Sequence, residues 1–375
     1  MARVKLGDVA REYKATIKNS AGLPVVGLEH LTPGEITLER WDMDTENTFT
    51  KGFKKGHMLF GRRRAYLKKA ALAPFDGICS GDITVIEAIP GKINPELLPF
   101  IIQNDLLFDY AVGNSAGSLS PRVKWESLKD YQFELPELSK QDGLVELLKA
   151  AHRAKAAYRQ QIIATDELVK SQFIEMFGDL RVNSKHLKLT PLSELILIER
   201  GGSPRPIERY ITDSPDGVNW IKIGDAVEGS IYITHTKERI IKEGTKKSRY
   251  VQPGDFLLSN SMSFGRPYIL MIDGYIHDGW LVLRDNDNLF NKIFLHTLLS
   301  SDYAMASFES MAAGSVVKNL NKELVGKLKV PVPDINTQNA FAAFAEQSDK
   351  SKFELQEAIV RIDNLIKSLI QQDTE

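Results

Sequence analysis

The sequence predicts an α+β fold in which two mixed α/β globular domains are separated by two long antiparallel coiled-coil helices, with a pseudo-two-fold internal repeat. Three observations lead to this prediction. Short motifs recur at a nearly constant offset along the 375 residues. In each copy, short β-branched runs stand between Gly, Pro, Asn and Asp, which is the pattern of strands joined by turns. Each copy then ends in a long stretch without proline and with almost no glycine, which predicts a long helix.

The repeat is visible as motif pairs in the same order, most of them 197 residues apart. Other pairs are 195 or 198 residues apart, so the offset drifts very little. Because chance rarely produces such an ordered series, it indicates a duplicated unit. The alternative is that short apolar-glycine patterns recur in any α/β protein. The clearest pairs are 166–171 with 363–368, 116–118 with 313–315, and Gln141 with Gln338.

The duplication predicts the boundaries of four segments. Ser139 and Asn336 can each cap the start of a helix, and Gly178 suits a left-handed cap at the end of the first one. At about 1.5 Å per residue, each helix would span on the order of 55 Å. The segments are a first globular domain at 1–138, a first helix at 139–178, a second globular domain at 179–335 and a second helix at 336–372.

The two predicted helices carry matching apolar seams. Spacings of three and four residues alternate along both, which is the period of a coiled coil. A pair formed along these seams would run antiparallel because the connections to the globular domains are short. The alternative is that each helix packs back on its own domain as an ordinary α/β layer. The seam residues are Leu144, Leu147, Ala151, Tyr158, Ile162 and Val169 in the first helix, and Phe341, Phe344, Leu355, Ile359, Ile362 and Ile366 in the second.

Composition excludes several classes of protein. The chain has 48 basic and 49 acidic residues, so its net charge of −1 carries no global signature of nucleic-acid binding, and any such role must come from local clusters. Cys79 is the only cysteine, which excludes an internal disulfide and a cysteine zinc site. No apolar run reaches about 18 residues, and the N-terminus lacks the apolar core of a signal peptide. A cytoplasmic protein is therefore expected.

The sequence also lacks catalytic motifs. No glycine-rich dinucleotide motif follows a strand, and no phosphate-binding loop ends in Lys-Ser/Thr. The seven histidines show no metal-ligand spacing. We therefore expect no catalytic residues and no metal site in this chain.

Local clusters indicate DNA contact. Two similar but non-identical heads suit two half-sites on one face of a double helix. Residues 61–69 hold five cations and a tyrosine, and the equivalent place in the second copy, 259–268, holds three serines, one asparagine and one arginine. Arginine forks pair with guanine, amides with adenine and small hydroxyls with either base or phosphate, so one location can read different bases in each copy. The alternative is a solvated charged loop.

The candidate DNA-binding residues come from these loops, from a glycine–serine loop in each copy and from a basic patch in the second copy. Glycine with small hydroxyls can expose backbone amides to phosphate, although an ordinary loop has the same composition. The candidates in the first copy are Arg62, Arg63, Arg64, Tyr66, Lys68, Lys69, Ser118, Arg122 and Lys124. Those in the second copy are Arg205, Lys246, Lys247, Arg249, Asn260, Ser261, Ser263, Arg266, Ser315, Lys318 and Asn319.

Four motifs in the second copy resemble the signposts of target recognition domains in the specificity subunit of type I restriction–modification systems. The resemblance covers essentially the whole chain: recognition domain, long helix, second recognition domain, second long helix. The first copy departs from it, since no Gly-Gly-Ser/Thr-Pro follows Leu6, and Gly27-Leu28-Glu29 stands where Trp-Ile-Lys-Ile-Gly-Asp would be. The motifs are Gly201-Gly202-Ser203-Pro204, Trp220-Ile221-Lys222-Ile223-Gly224-Asp225, Gly254-Asp255-Phe256-Leu257-Leu258-Ser259 and Ala313-Gly314-Ser315.

The resemblance implies a function for the whole chain. Each recognition domain would read one half of a split DNA target in the major groove, and the helices would set the gap between the halves. Two methyltransferase subunits would dock on the helices and heads and bring S-adenosylmethionine, so this chain would bind no cofactor and would not be an enzyme. Two ATP-driven restriction subunits can join such a complex. The outward helix faces would be partner surfaces, with Tyr158, Phe173 and Phe177 as candidates unless these pack in the seam.

Two other functions stay open at this point. One is a two-headed protein scaffold that bridges identical partner subunits without binding DNA, which the near-neutral charge favours. The other is a self-contained modifying enzyme with an unrecognised site. Replacing Arg62, Arg63 and Arg64 with alanine separates the DNA-binding function from the scaffold, because only the former loses duplex binding while partner assembly persists.

Overall fold

The computed structural model describes residues 2–18, 21–43, 46–227, 229–260, 264–312 and 319–371. Contacts between Cα atoms divide the chain into two compact units. Unit one is Met1–Gln160 with Leu355–Glu375, and unit two is Gln161–Glu354. Each unit consists of one globular head and a segment of each of two long helices. The first head is residues 2–137 and the second head is residues 178–334.

The first head is built from short strands and short helices. Its strands are β1 (Ala2–Lys5), β2 (Ala10–Glu12), β3 (Pro24–Val26), β4 (Asp42–Met43), β5 (Lys51–Phe53), β6 (Met58–Gly61), β7 (Ala70–Leu72), β8 (Gly77–Cys79), β9 (Ile83–Ala88) and β10 (Gln132–Leu135). Its helices are α1 (Leu6–Val9), α2 (Leu98–Ile102), α3 (Asp105–Gly113) and α4 (Trp125–Leu128).

The described strands of the first head form three sheets. The first has the order β2-β9-β6-β7 and is antiparallel, the second has the order β4-β3-β8-β5 with β3 parallel to β8, and β1 pairs with β10. Successive side chains of a strand point to opposite faces. Met58 and Phe60 of β6 accordingly belong to the core that includes α2 and α3, while Leu59 belongs to the core with β3 and β8. The central strand β6 of the first sheet is therefore buried on both faces.

The second head is built from an equivalent set of elements. Its strands are β11 (Leu189–Pro191), β12 (Leu197–Arg200), β13 (Val218–Ile221), β14 (Tyr232–Ile233), β15 (Glu238–Ile240), β16 (Arg249–Val251), β17 (Phe256–Ser259), β18 (Pro267–Leu270), β19 (Gly274–Ile276), β20 (Trp280–Arg284) and β21 (Lys329–Pro331). Its helices are α6 (Lys292–Ser300), α7 (Asp302–Ala312) and α8 (Lys322–Gly326).

The sheets of the second head repeat the strand order of the first. They run β12-β20-β17-β18-β14, β15-β13-β19-β16 and β11-β21. The extra strand β14 pairs in parallel with β18, and at the equivalent place in the first head Thr37 makes a parallel bridge with Leu72 of β7. This topology confirms the internal repeat predicted from the motif offsets.

The repeated glutamines Gln141 and Gln338 make the same hydrogen bonds in the two copies, which explains why glutamine recurs there. The side-chain oxygen of Gln141 accepts a hydrogen bond from the backbone N–H of Asn94 at 2.7 Å, and its amide donates to the carbonyl of Pro136. Gln338 accepts from the backbone N–H of Asn291 at 2.8 Å and likewise donates to the carbonyl five residues before it. Both glutamines are almost fully buried, where an unpaired backbone group is costly. Each therefore fastens the start of a long helix to its own head.

The long helices are α5 (Leu138–Phe177) and α9 (Ile335–Gln371). In unit two, Asp166 of α5 pairs with Lys352 of α9 at 2.7 Å, and the rings of Phe173 and Phe341 lie 5.4 Å apart. The later α5 residue thus meets the earlier α9 residue, so the two segments run antiparallel, as predicted. In unit one, Lys155 of α5 pairs with Asp363 of α9. No helix in the described ranges combines the length and apolar character of a membrane span.

The seam prediction was wrong at Leu147, which is 45% exposed. Val145 and Leu148 are buried in its place and belong to the core of the first head. The cause is that the first turns of α5 pack against the head as well as against α9, which rotates the buried face by one position relative to a pure two-helix seam. The other predicted seam residues are buried or half-buried: Leu144, Ala151, Tyr158, Ile162, Val169, Phe341, Phe344, Leu355, Ile359, Ile362 and Ile366.

The prediction of Phe173 and Phe177 as partner surfaces is also corrected. Both are buried in the core of unit two, where their rings pack against Phe294 and Phe341. They close the end of α5 onto the second head. Tyr158 is half-buried.

Candidate nucleic-acid interface

The structure brings together the two candidate loops of the first head. We call residues 61–69 the basic loop and residues 114–124 the finger. The backbone N–H of Arg64 donates to the carbonyl of Pro121 at 2.9 Å, and that of Val123 donates to the carbonyl of Arg62 at 3.0 Å. Arg64 adopts a left-handed conformation (φ 54°) that turns the basic loop onto the finger. The sequence predicted both loops but not their contact.

An acidic residue that the sequence analysis missed lies between these loops. Asp82, in the turn before β9, accepts a hydrogen bond from Nε of Arg122 at 2.7 Å and lies 3.5 Å from Nη1 of Arg63. The hydrogen bond and positive charge of Arg122, with the charge of Arg63, hold the pKa of Asp82 below its usual value. Nε of Arg63 also donates to Oγ of Ser120 at 2.5 Å. The two guanidinium groups are therefore held in fixed orientations.

Two of the predicted lysines are half-buried and bind partners within unit one. Nζ of Lys68 donates to Asp105 at 2.6 Å, and Asp105 also pairs with Lys367 of α9 at 2.9 Å. Nζ of Lys69 donates to the carbonyl of Leu28 at 2.7 Å. The Lys68 side chain remains 42% exposed, and DNA binding by Lys68 and Lys69 stays a prediction.

The remaining candidates of the first head differ in exposure. Arg64, Tyr66, Ser118 and Lys124 are exposed. Arg62 is half-buried, and its Nε is enclosed without a hydrogen-bond partner among the described residues. The surface available to a ligand is thus the finger with the arginines that border it.

The second head has an acidic turn residue in the corresponding turn, before β20. Asp278 accepts a hydrogen bond from Oγ of Ser203 at 2.8 Å and contacts Nε2 of His277 at 2.9 Å and Nη2 of Arg205 at 3.3 Å. Burial alone would raise the pKa of Asp278, but the Ser203 hydrogen bond and the charges of His277 and Arg205 lower it. Arg205 remains exposed. Each head therefore combines an acidic turn with cations at its surface.

The Gly-Gly-Ser-Pro motif allows this arrangement because its backbone runs against two other segments. A Cβ on Gly201 would lie 2.3 Å from the carbonyl oxygen of His277, and one on Gly202 would lie 2.2 Å from that of Lys247. Only glycine fits these approaches. The motif thereby seats Lys247 beside the turn of Asp278. Lys246, Lys247 and Arg249 are exposed, and Arg249 pairs with Glu199 at 3.3 Å.

Asn260, one of the predicted DNA-binding residues, is buried within the second head in this structure. It is 1% exposed, and its Nδ2 donates to the carbonyl of Asp278 at 2.8 Å, so its amide supports the acidic turn from within. Its backbone N–H donates to the carbonyl of Gly279, and Arg62 makes the equivalent bond to Asp82 in the first head. The two residues do occupy one location with different chemistry.

The other candidates of the second head are only partly placed. Arg266 is exposed and Asn319 is half-buried. Ser261, Ser263, Ser315 and Lys318 lie outside the described residues. No group of His, Cys, Asp and Glu in the described ranges could hold a metal ion.

The first head replaces one family motif with different chemistry. In Trp-Ile-Lys-Ile-Gly-Asp, buried Asp225 accepts a hydrogen bond from the backbone N–H of Lys222 at 2.8 Å and closes a tight turn after β13. After β3, Nδ1 of His30 accepts the same bond from Gly27 at 3.0 Å. The turn is retained without the motif, which is why the sequence pattern was absent there.

Part of the chain matches a known family model, and one relative is similar over most of its length. Residues 189–361 match the type I restriction modification DNA specificity domain. The putative type I restriction enzyme MjaX specificity subunit of Methanocaldococcus jannaschii is 20% identical, over 93% of this chain and 87% of that protein.

Two solved structures share the fold. One, from work on complex assembly and conformational transition of the type I restriction–modification system, aligns with a TM-score of 0.64 at 18% identity and covers 98% of this chain and 96% of its own. The other, the type I restriction–modification S subunit of M. genitalium, aligns with a TM-score of 0.56 at 14% identity and covers 100% of this chain and 96% of its own.

The second head and most of α9 match a type I restriction modification DNA specificity domain. Over nearly its whole length the chain is similar to a type I specificity subunit, and it shares the fold of solved type I restriction–modification proteins.

Proposed function

We propose that this chain is the DNA sequence-recognition subunit of a type I restriction–modification complex, and that each head reads one half of a bipartite target in the major groove. The observation that carries the proposal is that the same turn of each head, before β9 or β20, holds an aspartate paired with an arginine: Asp82 with Arg122, and Asp278 with Arg205, at adjacent positions of the repeat. Asp82 orients Arg63 and Arg122, whose remaining N–H groups would donate to guanine or phosphate. Different side chains at this repeated location suit two different half-sites.

The long helices are proposed to set the gap between the half-sites and to dock two methyltransferase subunits. Both are long enough for such a role, with 40 residues in α5 and 37 in α9. Each also exposes apolar side chains that its own unit leaves uncovered, such as Ile163 of α5 and Phe353 of α9. Apolar surface of this kind is typical of protein interfaces.

The chemistry of the complex is proposed to lie on those partners. The methyltransferase subunits would carry S-adenosylmethionine, and ATP-driven restriction subunits, where present, would cleave. This chain would be non-catalytic and would bind no cofactor. It would act in the cytoplasm, where its DNA target lies.

Inserting one heptad into each long helix tests the spacing role. The insertions belong between Lys155 and Asp166 in α5 and between Lys352 and Asp363 in α9, so that both seams stay in register. Seven residues add about 10 Å of helix, which corresponds to about three base pairs. Sequencing of methylated host DNA should then show both half-sites unchanged and a longer gap. An unchanged gap would contradict the proposal, and a heptad in only one helix should misalign the seam and abolish activity.

Replacing Arg122 with alanine should weaken binding of the target duplex by roughly 10- to 100-fold, because it removes one guanidinium group and leaves Asp82 beside DNA with only the more distant Arg63 to offset its charge. Binding would be measured by fluorescence anisotropy across a salt series. Arg181 is a matched control, since it pairs with Asp179 at 2.7 Å but lies outside the interface. Equal losses for Arg122→Ala and Arg181→Ala would argue against a specific role of the first head, and no loss for either would favour a scaffold that does not touch DNA.

A further inference from the structure

The finger of the first head presents a single leucine at its tip. Ala116 and Arg122 exchange both backbone hydrogen bonds, at 3.0 and 2.9 Å, and so close the short loop between them. Gly117 takes a positive φ of 112°, which favours glycine and lets the chain reverse. Leu119 lies in the middle of this loop and is 92% exposed, more than any other large hydrophobic side chain among the described residues.

The finger is held rigidly at its base. The hydroxyl of Ser120 accepts a hydrogen bond from Nε of Arg63 at 2.5 Å, and the carbonyl of Pro121 accepts one from the backbone N–H of Arg64. Nε of Arg122 donates to the carboxylate of Asp82. Small residues flank the leucine on both sides, with Ser118 before it and Ser120 after it. The leucine is therefore displayed at a fixed place with little bulk around it.

The positive charges around Leu119 favour a polyanionic ligand that also carries an apolar group. The loops at the base of the finger carry Arg63, Arg64, Arg122 and Lys124, and Asp82 neutralises only part of this charge. An apolar protein partner would have to bury these cations together with the leucine, which is costly without matching carboxylates. A DNA duplex pairs them with phosphates. On base edges in the major groove, the apolar group is the C5-methyl of thymine.

We propose that Leu119 is a specificity-determining residue that recognises the methyl group of a thymine in the half-site read by the first head. The proposal rests on the DNA-reading function given above and adds one base and one chemical group to it. Arg63 and Arg122 would flank the contact and fix the finger's depth in the groove.

Exchange of thymine for uracil tests the contact, because it removes only the methyl group and keeps base pairing. The half-site comes from methylation mapping of the wild-type system, and each of its thymines is replaced in turn. The complex of the full chain with its methyltransferase subunits should lose three- to tenfold in affinity at one thymine. Leu119→Ala should bind the thymine duplex three- to tenfold more weakly and should no longer distinguish thymine from uracil. Leu197→Ala, a half-exposed leucine on β12 of the second head, should keep the wild-type preference.

Several results would overturn the proposal. They are a first half-site without thymine, a wild-type complex that is indifferent to uracil at every position, and a Leu119→Ala variant that keeps the preference. A variant that loses assembly with the methyltransferase would instead make Leu119 a protein contact. These outcomes differ from failure of the DNA-reading function itself, which would appear as an absence of sequence-specific duplex binding by the wild-type complex.

Discussion

Replacement of Phe341 with alanine should destabilise unit two by about 3–5 kcal/mol, the range for deletion of a fully buried phenylalanine. Phe341 is 0% exposed, and its ring packs edge-on against Phe173 at 5.4 Å and Phe177 at 5.7 Å. These contacts join the start of α9 to the end of α5 within the core of the second head. The loss of stability should appear as faster amide hydrogen exchange in β17 and β20, which mass spectrometry can measure under native conditions.

Phe353 provides the matched control for this prediction. It lies on the same helix but is 59% exposed, so Phe353→Ala should change the stability of unit two by no more than about 0.5 kcal/mol. If the two substitutions had equal effects, or if Phe341→Ala cost less than about 1 kcal/mol, the proposed contribution of the aromatic cluster to the stability of unit two would be wrong.

Replacement of Gly202 with alanine should displace the exposed Lys246–Lys247 turn from the acidic turn of the second head. The new Cβ would lie 2.2 Å from the carbonyl oxygen of Lys247, a distance at which the backbone itself must move. Such overpacking typically costs about 1–3 kcal/mol. Since the same movement shifts Ser203 and Arg205 away from Asp278, duplex affinity should also fall by roughly 10-fold or more. Thermal unfolding and duplex binding measure the two effects separately.

Gly224 is the control glycine in the same head. Nothing lies within 4 Å of a Cβ built there, so Gly224→Ala should leave both stability and duplex affinity near the wild-type values. If Gly202→Ala were as stable as Gly224→Ala and bound DNA as tightly, Gly202 would have no steric role.

The sequence predicted the elements whose signals are repetitive. The motif offsets identified the duplication because the same hydrogen bonds, such as those of Gln141 and Gln338, are needed twice. The helical seams were readable because a coiled coil has a fixed period. The prediction failed at Leu147, where the helix meets a globular core and the buried face no longer follows two-helix packing.

The interface was predicted less completely than the fold. Clusters of arginine and lysine marked the right loops, but charge alone did not separate exposed Arg64 from Lys69, which bonds a carbonyl within the head. Asp82 and Asp278 were missed because a single aspartate has no distinctive spacing in the sequence. Their role arises from loops distant in the chain that meet only in the folded head.

The composition of unit one has a consequence for biosynthesis. Ile366 and Leu369, near the end of the chain, pack against the core of the first head, and Lys367 pairs with Asp105 of that head. The ribosome therefore makes α5 and the second head after the first head and before the α9 residues that complete its surface. During that interval, the apolar surface that Ile366 and Leu369 cover in the folded protein is uncovered on the nascent chain.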